Sequence, residues 1–322
     1  MLRSTRSIPL ALAVALAACD TAAGPEAADP FDAQSVSADY AAVEAILSTA
    51  AWDGLSVLSR AGASAGPSAG PAAAPIISDA SRGSTYVYDA DSADWVVDPD
   101  REGAPADGVR FIVYDEVAGV PDPSSERGWA DLIDEGDGSA EDVALRLRVQ
   151  VDGRLAMDYQ VRADEEAGAG RVEVMGFVEG DDGERLDFDV ALEGDGQGSN
   201  ALDFDLSVES RDFAVEGSAM GDDATDDGSV RLAARHRLHG LDLDLESKNG
   251  SMSGFINLDS RPFVQVSGSS ADPEFTRPDG TPLRPIGVIA LLHVVDFVED
   301  VFDLVEDVVD PVGDIVGLGW AL

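Results

Sequence analysis

Val143-Ala144-Leu145-Arg146-Leu147-Arg148-Val149-Gln150-Val151 alternates apolar and polar side chains without a break. That two-residue period marks a strand with one dry and one wet face, because successive side chains leave a pleated backbone on opposite sides. It recurs in Leu155, Met157, Tyr159 and Val161, in Leu186, Phe188, Val190 and Leu192, and in Leu202, Phe204, Leu206 and Val208. It recurs again in Val230, Leu232, Ala234, His236 and Leu238, and in Leu241, Leu243 and Leu245. Between these runs lie Asp152-Gly153, Asp181-Asp182-Gly183, Gly194-Asp195-Gly196, Asp226-Asp227-Gly228 and His239-Gly240, residues suited to tight hairpin corners. With no helical pattern between the strands, the fold class is mainly β, an antiparallel meander of about nine to eleven strands. A curved sheet and an incomplete or closed barrel both fit, with one helix at the N-terminal end and one at the C-terminal end.

Two hairpins allow a register to be predicted. A two-residue turn at His239-Gly240 sets Leu238 against Leu241, Arg237 against Asp242, His236 against Leu243 and Arg235 against Asp244, apolar to apolar and base to acid. At Asp152-Gly153 a plain two-residue loop would oppose Gln150 to Leu155, so the alternation predicts a bulged turn.

Outward from the strands, Pro285 to Asp310 places Asp296, Glu299, Asp300, Asp303, Glu306, Asp307 and Asp310 three or four residues apart among Val, Leu, Ile and Phe. This predicts an amphipathic helix opened by Pro285 and stopped by Pro311, with residues 311–322 as a tail. Its almost wholly apolar start, Pro285 to Val295, predicts burial on all sides there. The acids of its last turn oppose the helix dipole, and the Arg-bearing strand faces are available to neutralise them. On the other side, Tyr40, Val43, Ile46, Leu47, Ala51, Leu55 and Leu58 recur at helical spacing and predict a helix over 37–60. Residues 61–83, with their Ala, Gly, Ser and Pro run, read as a low-complexity linker, and 84–310 as the β-rich domain.

The leader supplies an address. Arg3 and Arg6 precede an apolar run from Ile8 to Ala18 that is too short to span a bilayer. Leu16-Ala17-Ala18-Cys19 resembles the lipobox of bacterial lipoproteins. The resemblance implies a signal peptide over 1–18, a diacylglycerol on the Cys19 thiol, a tether over 19–36 and a place in the cell envelope. Cys19 is the only cysteine, so an intramolecular disulfide is excluded. Asp20 resembles the inner-membrane retention signal of enteric lipoproteins, a rule that is not general, so inner and outer membranes both stay open.

Composition narrows the partners. The 322 residues include 63 Asp plus Glu against 21 Lys plus Arg, a formal net charge of -42. Nucleic acid is not an expected partner, because phosphate binding needs basic surface. The acids are unevenly chosen: 44 are Asp, while 20 of the 21 bases are Arg.

The residues suggest little catalysis. Two G-x-S-x-G matches, Gly62 to Gly66 and Gly66 to Gly70, fall in the low-complexity stretch, away from the strand-to-helix context that a nucleophile elbow requires. His236 falls on an apolar strand face, His239 on a turn of opposite parity and His293 in the apolar helix, which argues against a shared metal site. Calcium is the ion that the chain's Asp-rich turns would take, at Asp89, Asp91 and Asp94 or at Asp222, Asp223 and Asp226, because hard cations choose oxygen ligands. The first set lacks the loop glycine of an EF-hand.

The expectation is a non-catalytic binding or structural lipoprotein, joined to the membrane through acylated Cys19, with an apolar ligand or an envelope protein as its partner. One alternative is a carrier, since a sheet with accompanying helices is similar in plan to periplasmic carriers that hold acyl chains in a half-barrel. A second alternative is an envelope hydrolase.

Overall fold

In the computed structural model, the residues described are 76–136, 142–166, 168–222, 224–225, 227–237 and 239–322, together with 41, 43, 45–47 and 49. The mainly β expectation is met by a single 15-stranded sheet in the order β15-β14-β13-β12-β11-β10-β9-β8-β7-β6-β5-β4-β3-β1-β2. The sheet is open, with β2 and β15 as its edges. It is also mixed, because β1 (Thr85–Asp89) lies parallel to β3 (Gly108–Val117) while pairing antiparallel with β2 (Asp94–Val97). From β3 onward the chain runs as the expected meander, with more strands than the apolar alternation revealed.

The chain divides into two compact units. The first comprises Ala42–Ala191, Val208–Ser210 and Leu304–Leu322. It holds β1 to β3, then β4 (Val120–Asp134), β5 (Asp142–Val151), β6 (Arg154–Glu166), β7 (Ala169–Glu179) and most of β8 (Arg185–Gly194). Its apolar face is built of cross-strand rows. One row is Val109, Leu132, Leu147 and Tyr159, and another is Phe111, Ala130, Val149, Met157 and Val178. All of these side chains are buried. Tyr86 stacks on Phe111 at 5.0 Å, and Trp95 meets the same ring at 5.7 Å, so aromatic contacts seat the β1–β2 hairpin on β3.

The C-terminal end of the chain closes this face. Helix α1 (Pro285–Val309) is followed by α2 (Pro311–Ala321), so residues 311–322 are not a tail. Pro311 ends one helix and, at the first position of the next, begins another, since a missing N–H does no harm there. The buried set Leu304, Val305 and Val308 continues as Val312, Ile315 and Leu318. The Tyr159 hydroxyl donates to the Val308 carbonyl at 2.6 Å. Residues 76–83 also belong here: Ile77 is buried, and the Ser78 and Ser81 hydroxyls donate to the Leu322 carbonyl at 2.7 and 2.5 Å. Residues 76–83, read from the sequence as the end of a linker, thus pack with this unit. Within the expected N-terminal helix, residues 41, 43 and 45–47 are helical, with Val43, Ile46 and Leu47 buried. The rest of 37–60 lies outside the described residues.

The second unit comprises Leu192–Ser207 and Arg211–Asp303. It contains β9 (Ser199–Val208) except its last residue, β10 (Phe213–Asp222), β11 (Asp227–His236), β12 (His239–Lys248), β13 (Ser251–Leu258), β14 (Arg261–Ser269), β15 (Asp272–Thr276) and the start of α1. A row of Gly217, Leu232, Leu243, Ile256 and Val264 runs across it. Gly217 has a packing reason: a Cβ there would stand 2.4 Å from Cζ of Phe204, whose ring meets Phe302 of α1 edge-on at 5.8 Å. On α1 the buried positions are Ala290, Leu291, Val294, Phe297, Val298 and Val301, one helical stripe. The apolar start of α1 is thus buried on one side and not all round, since Ile289 is 47% exposed.

Two registers differ from expectation. The β11–β12 hairpin turns at Arg237, φ 54°, two residues before the predicted corner, so Arg231 pairs with Asp244 and Leu232 with Leu243. Gly240 is drawn into the strand because its N–H donates to Asp259 at 3.1 Å and its carbonyl accepts the Asp259 N–H at 2.8 Å. At Asp152-Gly153 the turn itself is a regular two-residue corner with both residues at positive φ. The bulge lies one pair further along, between Val149 and Gln150, and restores Val149 to the side of Met157.

Candidate functional site

The residues that alternate with Leu145, Leu147 and Tyr159 point to the opposite face of β3–β7. One row there reads Arg110, Asp131, Arg148, Asp158 and Phe177, a base and an acid alternating across four strands. Arg110 forks onto Asp131, Nε to Oδ1 at 2.7 Å and Nη2 to Oδ2 at 2.8 Å, with its guanidinium 4.2 Å above the Trp129 ring. Arg146 forks onto Asp158 at 2.7 and 2.6 Å and stands 3.5 Å from Glu135. Both aspartates are buried, so each carboxylate needs its arginine. Burial pushes the Asp131 carboxyl above its ordinary range, against the pull of Arg110. The Arg146 guanidinium is pushed up by its bonds to Asp158.

Arg148 stands between the two forked pairs. Its Nε is enclosed with no hydrogen-bond partner and lies 4.0 Å from Asp158 Oδ2, while its side chain is 40% exposed. The expectation that strand arginines neutralise the helix acids is not met by Arg146 and Arg148, because they project from the face opposite Tyr159, which touches α1.

No family model matches the chain, and no curated protein or solved structure does.

The residues singled out in the sequence occupy other places. Cys19 and both G-x-S-x-G segments lie outside the described residues, as do Asp223 and Asp226. Asp89 and Asp94 pair at the end of the β1–β2 hairpin. Asp89 accepts from the Asp91 N–H at 3.0 Å and the Ser92 hydroxyl at 2.8 Å, and these bonds hold its carboxyl below the usual range, the Ser92 bond most. Asp94 accepts from the Trp95 N–H at 2.8 Å, and Asp222 from the Ala224 N–H at 2.8 Å. Among the described residues no three His, Cys, Asp or Glu form a metal-holding group. His236 and His239 are direct cross-strand partners, not of opposite parity, because the turn lies two residues earlier. His236 is buried, whereas His239 is exposed with Nδ1 3.3 Å from Asp259 Oδ1.

The paired carboxylates on the Arg110 row escaped the sequence reading. Bases at Arg146 and Arg148 were visible, but their acids lie on β4 and β6, and only the bulged register aligns them.

Proposed function

We propose that the protein is a membrane-anchored bacterial lipoprotein, held by acylated Cys19, that acts in the cell envelope as a non-catalytic binding or structural protein. What supports this most is how the side chains are committed. The apolar face of each unit packs on the chain's own C-terminal helices, as Tyr159 does on Val308 and Phe204 on Phe302. Of the buried carboxylates, Asp131 and Asp158 are forked to arginines and Asp134 accepts from Arg82 at 3.0 Å, and several turn aspartates cap backbone N–H groups. A carrier would need apolar volume where these helices sit, and a hydrolase would need uncommitted acids, so both alternatives are less well supported. Among the described residues no helix is long and apolar enough to cross a membrane. Two or three acyl chains suffice to hold a protein at a bilayer where one does not.

The test is chemical. Labelled fatty acid should enter the wild-type protein in a lipoprotein-processing bacterial host and be absent from Cys19→Ser, which should leave the membrane fraction. An unlabelled wild-type protein in the soluble fraction would overturn the reading.

A further inference from the structure

We propose, on the reading that Cys19 anchors the chain, that the tip of the β3–β4 hairpin, Val117-Ala118-Gly119-Val120, is an apolar contact for the neutral lipid surface of the same bilayer. This hairpin outruns both of its neighbours. Val113 is the last residue of β3 whose register continues through Gly128 to Val151 of β5, and β1 ends at Asp89, level with Tyr114 by its Thr85–Arg110 pairing. Val117, four residues further on, stands about 13 Å beyond the shared sheet. There Val117 faces Val120 across the strands, and the two are 66% and 50% exposed. No other large apolar side chain among the described residues is as exposed as Val117. The arm is braced below its tip, since Arg127 donates to Asp115 at 2.9 Å and to Asp152 at 3.1 Å, and Arg101 donates to Glu126 at 2.8 Å. Two valines are thus held out in water on a supported arm.

The N-terminal segment meets the first unit at this same end. Val149 pairs with Met157 and Met157 with Val178, so the corner that follows β7 lies on the side of the β5–β6 corner and of the tip. Ile46 is buried and packs there: a Cβ on Gly180 would lie 3.4 Å from its Cγ1. Cys19 precedes Val43 by 24 residues and cannot lie more than about 85 Å from it. A bilayer gripped at Cys19 is therefore kept within reach of the tip, and a tethered surface needs only a weak second contact, because the tether sets a high effective concentration. Charge decides the kind of lipid. Val117 to Pro121 carries no charge, while Asp115, Glu116 and Asp122 flank it, so the contact is apolar and anionic headgroups oppose it. Neutral headgroups admit the valines without that repulsion.

The experiment reconstitutes the acylated full chain in phosphatidylcholine vesicles and reads a polarity-sensitive fluorophore on an introduced cysteine, which alone takes the label because acylation consumes the Cys19 thiol. On Val117→Cys the emission should shift to the blue and be quenched by nitroxide lipids several-fold more strongly than on Ala169→Cys, at the exposed β6–β7 corner of the opposite end. Adding Val120→Asp to the Val117→Cys chain should abolish that excess and leave the melting temperature unchanged, since both tip side chains are at least half exposed. Partial replacement of the lipid by phosphatidylglycerol at low salt should weaken the quenching, and added NaCl should restore it. Incorporation of labelled fatty acid is measured on the same samples. A chain without fatty acid defeats the anchoring reading and the contact with it. An acylated, vesicle-bound chain whose label on Val117→Cys is quenched no more than that on Ala169→Cys defeats the contact alone, as does quenching that survives Val120→Asp or grows with phosphatidylglycerol.

Discussion

Tyr159 joins the sheet to the end of α1 through one atom. Its ring lies 5.5 Å from that of Phe188 and is fully buried, and burial pushes its phenol well above the ordinary range. The hydroxyl reaches the Val308 carbonyl in the last turn of α1, three residues before Pro311. Replacing Tyr159 with Phe keeps the packing and strands a buried carbonyl, a loss of about 1–3 kcal/mol. Denaturant unfolding of Tyr159→Phe should show that lowered midpoint with an unchanged slope, whereas a midpoint equal to wild type would mean that water or a shifted helix replaces the bond. Nothing in the sequence singles this residue out, because its alternation with Met157 and Val161 marks it only as core.

Part of the excess of Asp over Glu sits in the turns. Asp195 accepts N–H groups from Gln197 at 2.7 Å and Ser199 at 3.0 Å, and Asp122, Asp182 and Asp279 each accept from the residue two positions on. A carboxylate on a single methylene reaches its own turn in this way, while Glu is one carbon too long. The Gln197 and Ser199 bonds hold the Asp195 carboxyl below its ordinary 3.8. Such a group adds stability above that value and loses it as pH falls through the lower folded-state value. Denaturant midpoints between pH 4 and 2 should therefore drop less steeply in Asp195→Asn, which keeps the acceptor but cannot titrate. Identical slopes would remove this account of the turn.

Strand faces were legible because parity survives small errors. The predicted β11–β12 corner was two residues late, yet an even shift leaves Leu243 on the core side and still gives Asp244 an arginine, Arg231 at 3.3 Å. Other strands were hidden. β4 opens with Pro121, Pro123, Ser124 and Ser125, and β10 carries Gly217 and Ala219 at inward positions, so neither shows an apolar alternation. Asn249-Gly250 is another hairpin corner, both residues at positive φ, between β12 and β13. The charge row on the polar face stayed hidden for a further reason, since it depends on three registers and a bulge at once.

For the molecule as a whole, the question is what finishes the core. In one unit, Leu291, Val294, Phe297, Val298 and Val301 of α1 are buried, and in the other Leu304, Val305 and Val308 are continued by Ile315 and Leu318 of α2. At roughly 1.5–3 kcal/mol for each large apolar side chain, either set contributes on the order of 10 kcal/mol before ordering costs. That equals the whole net stability of an ordinary domain. The acids of α1 at Asp296, Glu299, Asp303, Glu306 and Asp307 are exposed, as the helical period requires. Neither edge of the sheet is long enough to recruit a substitute: β2 has four residues, and β15 has five with Pro273 among them.

The most direct measurement is thermal unfolding of the chain truncated before Pro285, with dye binding and sedimentation on the same sample. A helix pair that completes the core predicts no cooperative transition, strong binding of a hydrophobic dye and aggregation. A truncated chain that stayed monomeric, melted cooperatively and bound no dye would contradict the account and make residues 285–322 a detachable interaction segment.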